Sequence, residues 1–96
     1  MAELNRKNEL LIIMQEECGE VTQAISKIFR FGEDSFHPKD RKKITNQKQM
    51  EMEIGDILGI LKFLIEEGHV DGEVIMKSAE DKMENLHKYM NTQREE

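Results

Sequence analysis

Apolar positions recur along this chain at steps of three, four and seven, and the pattern is interrupted twice. From about Leu4 to Phe31 the residues Leu10, Met14, Val21, Ala24 and Ile28 fall on one helical face. A second segment, from about Thr45 to Glu67, repeats the pattern through Met50, Ile54, Ile57, Leu61, Leu64 and Ile65, and Gly68 stops it. A third runs from about Gly72 to Met90 through Ile75, Ala79, Met83, Leu86 and Met90. The stretch Gly32 to Asp40, which holds the sole proline, Pro38, reads as a loop, and Gly68 to Asp71 reads as a short turn. Short connections favour antiparallel neighbours. The expectation is an all-α single domain over residues 1–96 with three main antiparallel helices, and a polar tail from Asn91 to Glu96 that frays.

Composition sharpens this picture. Apolar residues make up 38% and aromatics 5%, with no Trp, so the core has to be built from Ile, Leu, Met and Val, which suits packed helices. The seven Met residues read as gap-filling core side chains. A chain of 96 residues buries a limited fraction of its surface alone, which makes association with a second copy an expectation. Gly55 and Gly59 sit inside the second helical segment at a cost of roughly 1 kcal/mol each, and their shared face would let another helix or a ligand approach closely.

Charge excludes several function classes. A formal charge of −6 argues against a general nucleic-acid binder, which needs a surplus of Lys and Arg. Cys18 stands alone, so no disulfide forms within the chain and a reducing compartment such as the cytoplasm is expected. There is neither a signal-peptide pattern nor a run approaching the roughly 20 apolar residues of a spanning helix.

The acids carry the candidate chemistry. In the series Leu10, Met14, Glu17, Val21, Ala24, Ile28 an acid interrupts an apolar stripe, and Glu20 lies on its flank beside Ile13 and Ala24. The series Glu53, Ile57, Ile60, Leu64 repeats the device, with Asp56 following at i+3. Carboxylates that face a core need neutralising by protonation, by basic partners or by metal. These two segments lack a matching set of inward Lys or Arg, and four oxygen donors without Cys or paired His suit a hard cation, Mg²⁺ or Mn²⁺, over Zn²⁺. Mg²⁺ sites are commonly completed by substrate phosphates.

Glu16-Glu17-x-x-Glu20 followed by Glu53-x-x-Asp56 resembles the EExxE and ExxD signature of the MazG-like nucleoside triphosphate pyrophosphohydrolases. The surroundings Glu17-Cys18-Gly19-Glu20-Val21, Arg30-Phe31-Gly32 and Glu53-Ile54-Gly55-Asp56-Ile57-Leu58 resemble short, phage-type members, over roughly Asn8 to Gly68, although the loop between the motifs is long for the family. The resemblance implies an all-α fold that completes a four-helix-type core by dimerisation, as a homodimer or homotetramer. It also implies Mg²⁺-dependent cleavage of a nucleoside triphosphate to monophosphate and pyrophosphate by a metal-activated water. Carried over, the metal ligands fall on Glu17, Glu20, Glu53 and Asp56. Glu16 either orients a water or base or is a solvated acid.

Other residues enter as candidates beside bland readings. Lys27 projects two turns on from Glu20 and could meet a phosphate tail, or be a surface lysine. Lys82 and Asn85 resemble a downstream phosphate-holding pair of the family. Lys39, Arg41, Lys42, Lys43 and Lys48 form a basic cluster that either is solvated or steers an anionic substrate. Asn8 and Asn46 read as helix-start residues or base readers, while His37 and His69 show nothing that singles them out. Two rival functions stand beside the hydrolase. One is a non-catalytic helical adaptor with an exposed acidic face. The other is a carboxylate-bridged di-iron protein built on Glu84-x-x-His87.

Overall fold

The structure is a computed structural model that describes residues 4–92. It contains three α-helices, α1 (Arg6–Phe31), α2 (Asn46–Glu66) and α3 (Gly72–Asn85), followed by a 3₁₀ turn (Leu86–Tyr89), and no strand occurs among the described residues. Each helix starts at a side-chain cap. Asn5 accepts from the Asn8 N–H at 2.9 Å, Thr45 from Lys48 at 3.1 Å, and Asp71 from Glu73 at 2.9 Å. Gly32 at φ 94° and Gly68 at φ 74° provide the left-handed backbone that ends α1 and turns the chain after α2.

The first two helices form an antiparallel hairpin. Its open end is tied by Arg6 at the start of α1, whose guanidinium donates through Nε to Glu67 Oε1 and through a terminal nitrogen to Glu67 Oε2 at 2.7 Å. That fork holds the Glu67 carboxyl below its ordinary range, and His69 adds to it across 3.2 Å to Oε1. Ala24 on α1 and Leu64 on α2 are the buried apolar residues, with 4% and 2% of their surface exposed.

The long connection is folded back on itself. Ser35 Oγ donates to the Phe31 carbonyl at 2.6 Å, the N–H groups of Asn46 and Gln47 donate to the carbonyls of Ser35 and Glu33, and Asn46 Nδ2 donates to the Gly32 carbonyl at 3.0 Å. Asp40 organises the rest, one oxygen accepting from the Lys42 N–H at 3.0 Å and the other from Ile44 at 2.9 Å. Lys43 takes φ 53° to complete the turn.

The third helix departs from the expected arrangement. It leaves the hairpin after the Gly68–Asp71 turn and approaches it mainly at its first residue, where a Cβ on Gly72 would lie 3.2 Å from the Ile65 side chain. The radius of gyration is 16.7 Å, against about 12.5 Å for a compact chain of this length. Accessible surface tells the same story, 8466 Å² being roughly half as much again as a monomer of this mass exposes. An antiparallel three-helix bundle within one chain is therefore not what forms. Amphipathic α3 has its own stripe, but nothing along α1 or α2 of the same chain receives it. The α-helix also stops at Asn85, whose side chain turns back to the Asp81 carbonyl at 2.8 Å, and residues 86–89 tighten into the 3₁₀ turn. Residues 93–96 of the expected fraying tail lie outside the described residues.

Gly55 and Gly59 face open space, since a Cβ on either meets nothing within 4 Å. No helix of the same chain uses the close approach that their spacing permits.

Candidate carboxylate metal site

The hairpin brings three of the predicted acids to one point. Oxygens of Glu17 and Glu20 on α1 and of Glu53 on α2 lie within 4.8 Å of one another, the sole such group of three possible ligands among the described residues. Helical phase is the cause. Glu17 sits in the apolar stripe of α1 and Glu53 in that of α2, so packing the two stripes together draws the acids inward. Oε2 of Glu17 and Oε2 of Glu53 are both buried with no hydrogen-bond partner. Oε1 of Glu53 accepts from Gln49 Nε2, one turn earlier, at 2.6 Å.

Electrostatics report the crowding. Loss of solvent, then the charge of Glu20, the proximity of Glu53 and the charge of Asp56, push the Glu17 carboxyl from 4.5 up to about 7. Glu20 is raised as well, chiefly by Glu53. Asp56 is near enough to contribute to both shifts, yet it is exposed and stands outside the group of converging oxygens. Glu16 is exposed on the neighbouring face of α1 and is no part of that group.

A cavity of about 310 Å³ opens beside the acids, lined by Glu20, Glu53, Gln49, Lys27, His37 and Asn46 among others, with Ala24 in its wall. The loop thus reaches the site through His37, Asn46 and Asp40. His37 and Gln49 were not distinguishable as site residues from spacing alone. Gln49 did carry one signal, its position four residues before Glu53 on the same face. Lys82 and Asn85 line neither this cavity nor its neighbour on the loop. They ride on α3, where the Lys82 ammonium lies 5.5 Å from the Tyr89 ring centroid. The Glu84-x-x-His87 pattern straddles the end of α3 and the 3₁₀ turn, and neither residue belongs to the group of converging ligands among the described residues.

A family model described as the MazG nucleotide pyrophosphohydrolase domain matches residues 6–91. The chain belongs to the MazG family. Neither a curated protein nor a solved structure matches it. The MazG match spans α1, α2 and α3 together, so the outlying third helix is part of the family domain and not an appendage.

The donor set fits the hard divalent cation that MazG membership implies. All three converging groups offer oxygen, two of their oxygens are buried without a donor, and loss of solvent together with the neighbouring charges raises the Glu17 carboxyl to about 7. No helix among the described residues is long and apolar enough to cross a membrane.

Proposed function

We propose that this MazG chain hydrolyses nucleoside triphosphates to the monophosphate and pyrophosphate. The observation that carries the reading is the pair of orphaned, buried oxygens of Glu17 and Glu53, set beside Glu20 at the edge of a cavity that also holds Lys27. In this reading Glu17, Glu20 and Glu53 hold Mg²⁺, or Mn²⁺ in its place, with Asp56 as a fourth ligand drawn in from the edge of the cluster. A divalent cation held there supplies the positive charge that lets an acidic protein accept a triphosphate and that favours attack of water at the α-phosphorus.

The chain's own groups do the positioning. Gln49 fixes one oxygen of Glu53 and so aims the other into the cluster. The Lys27 ammonium, in the wall of the same cavity, pairs with the phosphate tail, and the exposed Lys39, Arg41, Lys42 and Lys43 of the loop attract the polyanion towards it. Water adds to the α-phosphorus and gives up a proton to solvent, the bond from that phosphorus to the bridging oxygen breaks, and pyrophosphate departs with the electron pair. In this reading Glu16, exposed one residue before Glu17, orients solvent or remains a solvated surface acid.

An acidic adaptor without catalysis would display its carboxylates to solvent, whereas one oxygen each of Glu17 and Glu53 is buried without a donor.

Two copies complete the fold in this reading. The surplus surface includes Leu11, Ile12, Ile54, Leu58 and Phe63 on the hairpin and Val74, Met76 and Met83 on α3, far more apolar surface than a stable monomer displays. A second hairpin laid against these residues makes a four-helix core, and Gly55 and Gly59 permit its close approach.

The test is stoichiometric. Incubation with Mg²⁺ and a panel of ribo- and deoxyribonucleoside triphosphates is expected to yield monophosphate and pyrophosphate in equal amounts, abolished by Glu17→Gln. Release of diphosphate and inorganic phosphate would place the attack at the terminal phosphate and overturn the reading.

A further inference from the structure

A second cavity, of about 430 Å³, lies against the loop, with walls from Phe31, Phe36 and Pro38. It shares a wall with the first. Lys27, His37 and Asn46 line both, so the apolar recess adjoins the cavity at the acids across a cation and two hydrogen-bonding side chains. The two differ in chemistry as the two ends of a nucleotide differ. The carboxylate end is charged, and the far end offers two phenyl rings and a proline ring. Both volumes fall within the range of small-ligand sites.

The recess is built, not incidental. Phe31 is the last residue of α1, where the Arg30 guanidinium lies 4.9 Å from its ring centroid, and its carbonyl accepts from Ser35 Oγ. Phe36 is 41% exposed and Phe31 57%, a costly display for phenyl rings that the loop's hydrogen bonds nevertheless hold in place. In the wall shared by the two cavities, Asn46 Nδ2 donates to the Gly32 carbonyl, which leaves Oδ1 as the acceptor of that amide. His37 Nδ1 accepts from the Lys39 N–H at 3.1 Å, so the neutral ring carries its proton on Nε2 and presents a donor.

We propose that this recess is the nucleobase subsite, in which the base of a nucleoside triphosphate stacks on Phe36 and Phe31 while its phosphates lie at the carboxylates. The proposal rests on the triphosphate reading of the carboxylate site. The wall shared through Lys27, His37 and Asn46 selects a base over any other planar group, because an occupant of both cavities must join an apolar ring to a polyanion past these polar side chains. Stacking tolerates every base, since each has a π-face. Asn46 Oδ1 and His37 Nε2 are then the groups that discriminate among bases through their edges.

Because the chain has no Trp, Phe36→Trp introduces a single fluorophore into the recess. Titration of this variant with nucleoside monophosphates and with Mg²⁺-triphosphates is expected to quench its emission, while inorganic tripolyphosphate with Mg²⁺ leaves it unchanged. Phe36→Ala is expected to raise KM for nucleoside triphosphates about 10- to 100-fold with kcat changed little and with unaltered helicity by circular dichroism. Quenching by nucleotides in a protein that hydrolyses none of them would retain the subsite and overturn the proposed reaction. Turnover by the wild type, together with an unresponsive Phe36→Trp and an unchanged KM in Phe36→Ala, would overturn the subsite alone.

Discussion

Gln49 donates to Oε1 of Glu53 from one helical turn away, at 2.6 Å, and the other oxygen of that carboxylate is buried without a donor. The amide thereby determines which oxygen of Glu53 is left for the cluster. Gln49→Ala is expected to lower Mg²⁺-dependent turnover about 10- to 100-fold, as loss of a ligand-orienting partner does. Helix content should not change. Full activity in this variant, measured at saturating Mg²⁺ and over a Mg²⁺ titration, would remove Gln49 from the site.

Glu17→Gln separates charge repulsion from metal binding. In chelator at pH above 7 the substitution removes a carboxylate that the fold holds against its neighbours, so thermal stability is expected to rise. Addition of Mg²⁺ should raise Tm of the wild type and not of the variant, whose turnover should fall by more than about 100-fold. A variant that is less stable in chelator and still responds to Mg²⁺ would contradict the proposed ligand role.

The pH dependence of the metal-free protein has a defined sign. Glu17 binds its proton near pH 7 in the folded chain and near 4.5 when unfolded, so between those values the folded state carries more protons. Stability therefore falls as pH rises from about 4.5 to about 7 and levels off above, and the raised Glu20 carboxyl acts in the same direction. Glu67 acts oppositely, its lowered carboxyl stabilising above its unfolded value and losing that contribution in more acidic solution. Urea unfolding in chelator across this range checks the slope, and saturating Mg²⁺, which favours the ionised carboxylates, should flatten it.

Leu64 is the best-buried large side chain of the hairpin, at 2% exposure. Leu64→Ala is expected to cost about 2–5 kcal/mol in denaturant unfolding. Truncating exposed Phe29, at 85%, should cost far less in a monomer, so a comparable loss there, accompanied by dissociation in sedimentation velocity, would show that Phe29 is covered by a second copy.

The helices were legible because their apolar periods are long, whereas the caps Asn5, Thr45 and Asp71 emerge only in the structure, beside Asn8 and Asn46, which the sequence suggested as helix-start residues. Glu17, Glu20 and Glu53 were legible for the same reason, as acids in phase with apolar stripes. The path of α3 was not. Periodicity shows that a helix has an apolar face but not which surface receives it, and the Gly68–Asp71 turn is short enough for an antiparallel return that α3 does not make. His37 was equally hidden, because its place between two cavities follows from Asp40 gathering the Lys42 and Ile44 N–H groups, a local bond pattern without periodic trace.

The two cross-links of the hairpin differ greatly in the chain length they enclose. Asn46 reaches Gly32 across 14 positions, whereas Arg6 reaches Glu67 across 61. Closing the shorter segment sacrifices less chain entropy, so it forms more readily before any helix packing exists. Assembly is then expected to begin where the loop folds back and to advance along α1 and α2 until the guanidinium fork fastens last. Substitutions in the loop should consequently slow refolding, and substitutions of Arg6 or Glu67 should chiefly hasten unfolding.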